Sequence, residues 1–160
     1  MEDNYIIIMV EVLQEKLGVL EQIIAKNDEQ TEILKEEQTD WDAFDRNADE
    51  KAKLIDQMGE LDAGFDRVFV KVESILSSDE GMTTYRSQIK QMQDLIRQIT
   101  EKSVSIQATE ARNKQLVEQR FTQTHKRFGQ SRNSSRIARD YYRTMQQTQV
   151  IPPAFLDKKN

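Results

Sequence analysis

Apolar residues recur at alternating steps of four and three through the first part of the chain. The series is Ile6, Val10, Leu13, Leu17, Leu20 and Ile24. This spacing places one side chain of every turn on a single seam, as in helices that pack at a shallow angle. Val12 and Ile23 widen the stripe, which indicates contact with more than one neighbour. We therefore expect a first helix over about residues 3–37.

A second stripe follows a short polar break, at which Thr39 or Asp40 can cap a new helix. The heptad frame predicts a helix over about residues 41–76. Two charged residues, Lys51 and Asp62, fall on the same frame as the apolar ones. The apolar members of the stripe are Trp41, Phe44, Ala48, Ile55, Met58, Phe65, Phe69, Val72 and Leu76.

A third helix is predicted after a second polar break, where Ser77 and Glu80 have the spacing of a capping box. Its apolar frame is Ile89, Met92, Ile96, Ile99 and Ile106. Beyond this point the frame reads Glu110, Asn113, Val117 and Arg120. Helix-forming residues continue to about Arg127. We expect this second half to project from the bundle, to fray, or to wait for a partner.

These stripes predict an all-α protein, an elongated antiparallel bundle of three long helices with a C-terminal basic amphipathic segment. Pro152 and Pro153 are the only prolines, so none interrupts the predicted helices. We divide the chain into a helical bundle over 1–127 and a basic, partly mobile partner-binding segment over 128–160. The alternative for the second part is that it folds back and completes a four-helix bundle.

The net charge of −5 conceals two regions of opposite sign. Residues 112–160 hold eleven Lys and Arg against three Asp and Glu, a net charge of +8. Residues 1–111 hold twelve against twenty-five, a net charge of −13. Such a split is an organisational signal. The basic region either docks on its own acidic bundle or meets a partner, and both interpretations stay open here.

The residues for catalysis or cofactor chemistry are largely missing. The chain has no cysteine, and His125 is its one histidine, so the usual histidine- or cysteine-based metal sites cannot be assembled. Carboxylate pairs such as Glu36 and Glu37 fall on polar faces. We expect no enzyme, cofactor or metal. The acidic whole disfavours nucleic acid, and no apolar run is long enough for membrane insertion. The absence of cysteine fits a cytoplasmic location.

The layout of the first two helices resembles the FlgN-type flagellar export chaperones. A first helix through Leu13, Leu17 and Leu20 is followed by an entry to helix two with Glu50, Lys51, Leu54 and Ile55. The resemblance covers roughly residues 5–130 and lies in the arrangement of helices. FliT-type chaperones are small helical bundles as well, and the sequence does not separate the two families.

The resemblance implies a cytoplasmic type III secretion chaperone. Such a protein holds hook-associated (hook-filament junction) subunits unpolymerised and delivers them to the export apparatus. In that family the C-terminal region carries substrate binding. The predicted partner-binding residues are Val117, Phe121, Phe128, Ile137, Tyr141, Tyr142, Met145, Phe155 and Leu156. The alternative function is a structural coiled coil, a spacer or tether that self-associates, with a homodimer as one form.

Overall fold

The computed structural model describes residues 2–128, and all of the regular structure in this range is helical. The elements are α1 (Glu2–Lys35), α2 (Trp41–Ser77), α3 (Asp79–Thr84) and α4 (Arg86–Phe128). The all-α prediction is therefore confirmed. The count differs, because a fourth helix of six residues stands between the second and third long ones.

The short α3 arises from the capping at the second polar break. Ser78, and not Ser77, is the N-cap: its hydroxyl accepts a hydrogen bond from the backbone N–H of Gly81 at 3.0 Å. The predicted capping box of Ser77 with Glu80 is wrong, because Ser77 is the last residue of α2. A Cβ at Gly81 would come within 1.8 Å of the Ile75 carbonyl oxygen. Glycine at this position therefore lets α3 turn back closely against the end of α2.

At the first polar break, Asp40 is the cap of the second long helix. Its carboxylate accepts a hydrogen bond from the backbone N–H of Ala43 at 3.1 Å. Asp42 in the first turn adds a negative charge that the helix dipole favours. The sequence left Thr39 and Asp40 as alternatives, and the geometry selects Asp40.

The direction of the helices follows from the pairs of residues that meet. Lys16 of α1 contacts Asp62 of α2, whereas Gln30, further along α1, contacts Asn47, so α2 runs antiparallel to α1. Glu21 of α1 contacts Lys102 of α4, whereas Asp3 contacts Tyr85 just before it, so α4 runs parallel to α1. The three long helices α1, α2 and α4 therefore run up, down and up.

The first helix occupies the central place among the three long ones. Its backbone packs closely against both α2 and α4. Within the described residues, the backbones of α2 and α4 stay more than 8 Å apart and meet only through side chains. The core runs along these interfaces and includes Met9, Leu13, Leu20, Leu34, Phe44, Ile55, Met58, Val72, Met92, Ile99 and Ile106.

Candidate partner-binding end

Seven polar side chains meet inside the bundle between two apolar stretches, and we name them the polar layer. They come from all three long helices and, apart from the half-buried Thr31, they are buried. The members are Asn27, Gln30 and Thr31 of α1, Asn47 and Lys51 of α2, and Glu110 and Asn113 of α4. Buried polar groups of this kind need partners, since an unmade hydrogen bond in the interior costs about 1–3 kcal/mol.

Lys51 is the centre of the polar layer. Its Nζ lies 2.5 Å from Glu110 Oε1 and donates to Asn27 Oδ1 at 2.5 Å, with Gln30 Oε1 at 3.4 Å. Burial lowers the pKa of the Lys51 ammonium to about 8, although the charge and hydrogen bond of Glu110 oppose the shift. The pair therefore bridges α2 and α4, the two helices whose backbones do not touch.

The amide side chains of the polar layer hold the other helix pairs in place. Asn113 Nδ2 donates to Gln30 Oε1 at 3.1 Å, and Asn113 Oδ1 accepts from the Thr31 hydroxyl at 2.8 Å. Gln30 Nε2 donates to Asn47 Oδ1 at 3.2 Å, and Asn47 Nδ2 donates to the Lys26 carbonyl at 2.9 Å. These are directional bonds between long-range neighbours, so they define one register of the three helices.

Beyond the polar layer, three rings form an aromatic cap: Trp41 and Phe44 of α2 and Phe121 of α4. The Trp41 and Phe121 rings are stacked, with centroids 4.2 Å apart and an interplanar angle of 17°. Phe44 meets Trp41 edge-on at 5.4 Å. Phe44 is fully buried, whereas Phe121 is half-buried. The cap therefore closes the end of the bundle from which the chain continues into its C-terminal segment.

Arg120 attaches the end of α4 to the end of α1. Its Nε donates to the Leu34 carbonyl at 2.8 Å, and its Nη2 donates to the Lys35 carbonyl at 3.4 Å. The last carbonyls of a helix lack partners within it and carry the negative end of its dipole. The guanidinium therefore both satisfies these groups and neutralises the charge at the end of α1.

The structure describes the surroundings of two of the nine predicted partner-binding residues. Val117 is buried, with 3% of its surface exposed, and Phe121 is the half-buried member of the aromatic cap. Phe128 is the last residue of α4. The other six lie outside the described residues: Ile137, Tyr141, Tyr142, Met145, Phe155 and Leu156. The structure thus places Val117 and Phe121 together at one end of the bundle.

The expectation that the second half of the third long helix projects from the bundle is wrong as far as Phe121. Glu110, Asn113 and Val117 are buried, and Arg120 binds α1. The apolar stripe ends because a polar interface replaces it. Sequence reasoning missed this interface, although its signal was present: Asn27 and Lys51 also stand at core positions of their stripes.

The described part of the chain gives no sign of metal or membrane chemistry. Over residues 2–128, no group of three or more His, Cys, Asp or Glu side chains is placed to hold a metal ion. In the same range, no helix combines the length and apolar character that crossing a bilayer demands.

The fold defines the protein as an all-α bundle of long helices, and comparison with known families identifies the family to which this bundle belongs. The model of a family described as FlgN protein matches residues 1–129, most of the chain. The chain therefore belongs to the FlgN family and is a FlgN-type flagellar chaperone. No curated protein and no solved structure matches it.

Proposed function

We propose that this chain is a cytoplasmic, non-enzymatic chaperone of type III export. It binds hook-associated flagellar subunits, keeps them unpolymerised and delivers them to the export apparatus. The observation that carries the proposal is the family match over residues 1–129. A site in the C-terminal part of the chain is supported by its position: α4 carries Phe121 of the aromatic cap, continues to Phe128 and is followed in sequence by the basic segment.

The physical logic rests on protecting a surface that would otherwise assemble. A subunit that polymerises through apolar helices stays soluble only while those helices are covered. Residues 129–160 supply aromatic and apolar side chains together with six Lys and Arg against two Asp. Tyr, Phe and Met are enriched at interface cores. The predicted contacts Phe121 and Phe128 lie where this segment joins the bundle.

The decisive test is calorimetric titration of hook-associated subunits into the full-length chain and into a version that ends at Arg127. We expect the full-length chain to bind and the truncated one to lose at least about ten-fold in affinity. Circular dichroism must show that the truncated chain keeps its helices. Equal affinity would move the site onto the bundle. No binding by either, with stable self-association, would favour the structural coiled coil.

Substitutions within the full-length chain sharpen this test. Tyr141→Ala with Tyr142→Ala is expected to weaken binding about ten-fold or more, because buried tyrosines often dominate interface energies. The matched control is Gln146→Ala with Gln147→Ala, a change of the same number of side chains a few residues further along. If both double variants lose the same amount, the two tyrosines are not the contact.

A further inference from the structure

A second surface lies at the opposite end of the bundle from the aromatic cap. The junction of α3 and α4 forms an open groove with a volume of about 520 Å³. Its lining is Met82, Thr83, Arg86, Ile89, Lys90 and Gln93. At 1.5 Å per residue, Ile89 lies about 50 Å from Phe121 along α4. The two surfaces are therefore separate, and this groove plays no part in the function proposed above.

Two of the six residues that line the groove, Met82 and Ile89, are apolar. Met82 has 52% of its surface exposed, which makes it one of the large apolar side chains that the bundle leaves in contact with water. Ile89 beside it is half-buried. Methionine adapts its shape to different partners and is enriched at interfaces. The groove therefore offers an apolar anchor point for a side chain of a partner.

Two further lining residues of the groove are cations. Arg86 and Lys90 are exposed and stand one turn apart on α4. Neither forms an ion pair within the described residues, whereas Lys16, Lys26 and Lys102 each do. Like charges one turn apart repel each other, and Arg86 in the first turn of α4 opposes the helix dipole, so neither cation is placed where it would stabilise the helix through these effects.

The charge around the groove differs from that of the rest of the bundle. The six lining residues include two cations and no acidic side chain, whereas residues 1–111 hold twelve Lys and Arg against twenty-five Asp and Glu. The nearest acidic residues along the chain, Asp79 and Glu80 at the start of α3 and Asp94 of α4, do not line the groove. The groove is thus a basic site on an acidic body. Residues 129–160, with six Lys and Arg against two Asp, have the wrong sign to occupy it. Charge complementarity selects an acidic occupant from another molecule.

We propose that the groove bordered by Arg86 and Lys90 docks an acidic amphipathic helix of a partner protein. An apolar side chain of that helix rests on Met82 and Ile89, and two carboxylates one turn apart pair with the two cations. Arginine and carboxylate form charge-assisted, often bidentate hydrogen bonds. A helix laid in an apolar groove is a common mode of peptide recognition.

The test uses the full-length chain and two fluorescein-labelled synthetic peptides of 16 residues. One carries two Glu one turn apart flanking a Leu, and in the other both Glu are replaced by Lys. Fluorescence anisotropy is expected to show at least about ten-fold tighter binding of the Glu peptide. The double variant Arg86→Glu with Lys90→Glu is expected to invert this preference. Met82→Ala is expected to weaken binding of the Glu peptide.

A matched control separates the groove from general charge. Arg46→Glu with Lys53→Glu changes the net charge by the same amount at exposed positions on α2, and it should leave the preference intact. Equal binding of both peptides, or equal effects of the two double variants, would overturn the proposal. The thermal midpoint of the Arg86→Glu, Lys90→Glu variant is expected to stay the same or rise; a large fall would make the cations structural.

Two further measurements on the same double variant test for other occupants of the groove. If sedimentation gives a dimer for the native chain that the Arg86→Glu, Lys90→Glu variant loses, a second copy of this chain is the occupant in place of the partner helix. Phosphatidylglycerol vesicles that bind the native chain but not this variant would point to an anionic membrane surface. Either result would overturn the proposal, and neither bears on the binding of hook-associated subunits.

Discussion

The two ends of the bundle are joined by different kinds of contact. Near α3, the helices meet through apolar side chains such as Met9, Val72 and Met92. Toward the aromatic cap, the polar layer intervenes, and Lys51 and Glu110 take the place of apolar residues. Apolar contacts tolerate sliding by a heptad, because similar side chains replace one another. Hydrogen-bonded groups do not, since each donor needs its own acceptor.

The apolar end and the polar layer contribute differently, the first to the stability of the bundle and the second to the register of its helices. The apolar end supplies free energy through buried area, about 25 cal/mol per Å². A buried ion pair supplies little net stability, because desolvation cancels much of the attraction. We assign to the polar layer the choice of register, which keeps α2 and α4 at a fixed distance and brings Phe121 over Trp41.

The largest expected effect comes from removing one partner of the buried pair. Lys51→Ala leaves Glu110 buried without its cation, which should cost about 3–5 kcal/mol in the free energy of unfolding. Urea titration followed by circular dichroism measures it. Lys26→Ala is the control, because Lys26 also pairs with a glutamate of another helix, Glu50 of α2, but at the exposed surface of the bundle. Similar small losses in both variants would show that the polar layer is not desolvated.

The ionisation of Lys51 should also appear in the dependence of the free energy of unfolding on alkaline pH. The folded-state pKa of Lys51 is about 8, below its ordinary value of 10.5. Between these values the unfolded chain keeps a proton that the folded chain has released, so the free energy of unfolding rises with pH. The native chain should gain about 3 kcal/mol relative to Lys51→Met between pH 8 and 10.5. Parallel pH profiles of the two proteins would contradict this assignment.

The smallest of these effects concerns the aromatic cap. Phe121→Ala removes a half-buried ring stacked on Trp41 and should cost about 1–2 kcal/mol. Trp41 is the one tryptophan of the chain, so its emission reports directly on the cap and should shift to longer wavelength. Thr122→Ala, at the neighbouring exposed position, should leave both quantities unchanged. An unshifted emission would mean that Trp41 is shielded by other groups.

The heptad pattern was sufficient to predict the long helices, because apolar spacing reports directly on a packed face. Capping chemistry offered Thr39 or Asp40 as the start of the second long helix, and the structure has Asp40 as the cap. The short α3 was missed, since Ser77 and Ser78 are both able to cap and only the turn around Gly81 decides between them. Local sequence does not encode that choice.

The polar layer shows where pattern reasoning fails for a physical reason. A stripe that turns polar, as at Glu110 and Asn113, looks like a helix leaving the core. Only the partners on the other helices, such as Asn27 and Lys51, show that the polar residues pair with one another. Pairing between residues more than fifty positions apart cannot be inferred from one stripe at a time.

The parallel arrangement of α1 and α4 has a consequence for how the chain folds. Contacts between α1 and α2 close loops of 17 to 46 residues, as in the Gln30–Asn47 and Lys16–Asp62 pairs. Contacts between α1 and α4 close loops of 81 to 86 residues, as in the Glu21–Lys102 and Leu34–Arg120 pairs. Longer loops cost more entropy and form later. The hairpin of α1 and α2 is therefore expected to assemble first, and α4 to dock last. The ion pair between Lys51 and Glu110 forms in that last step.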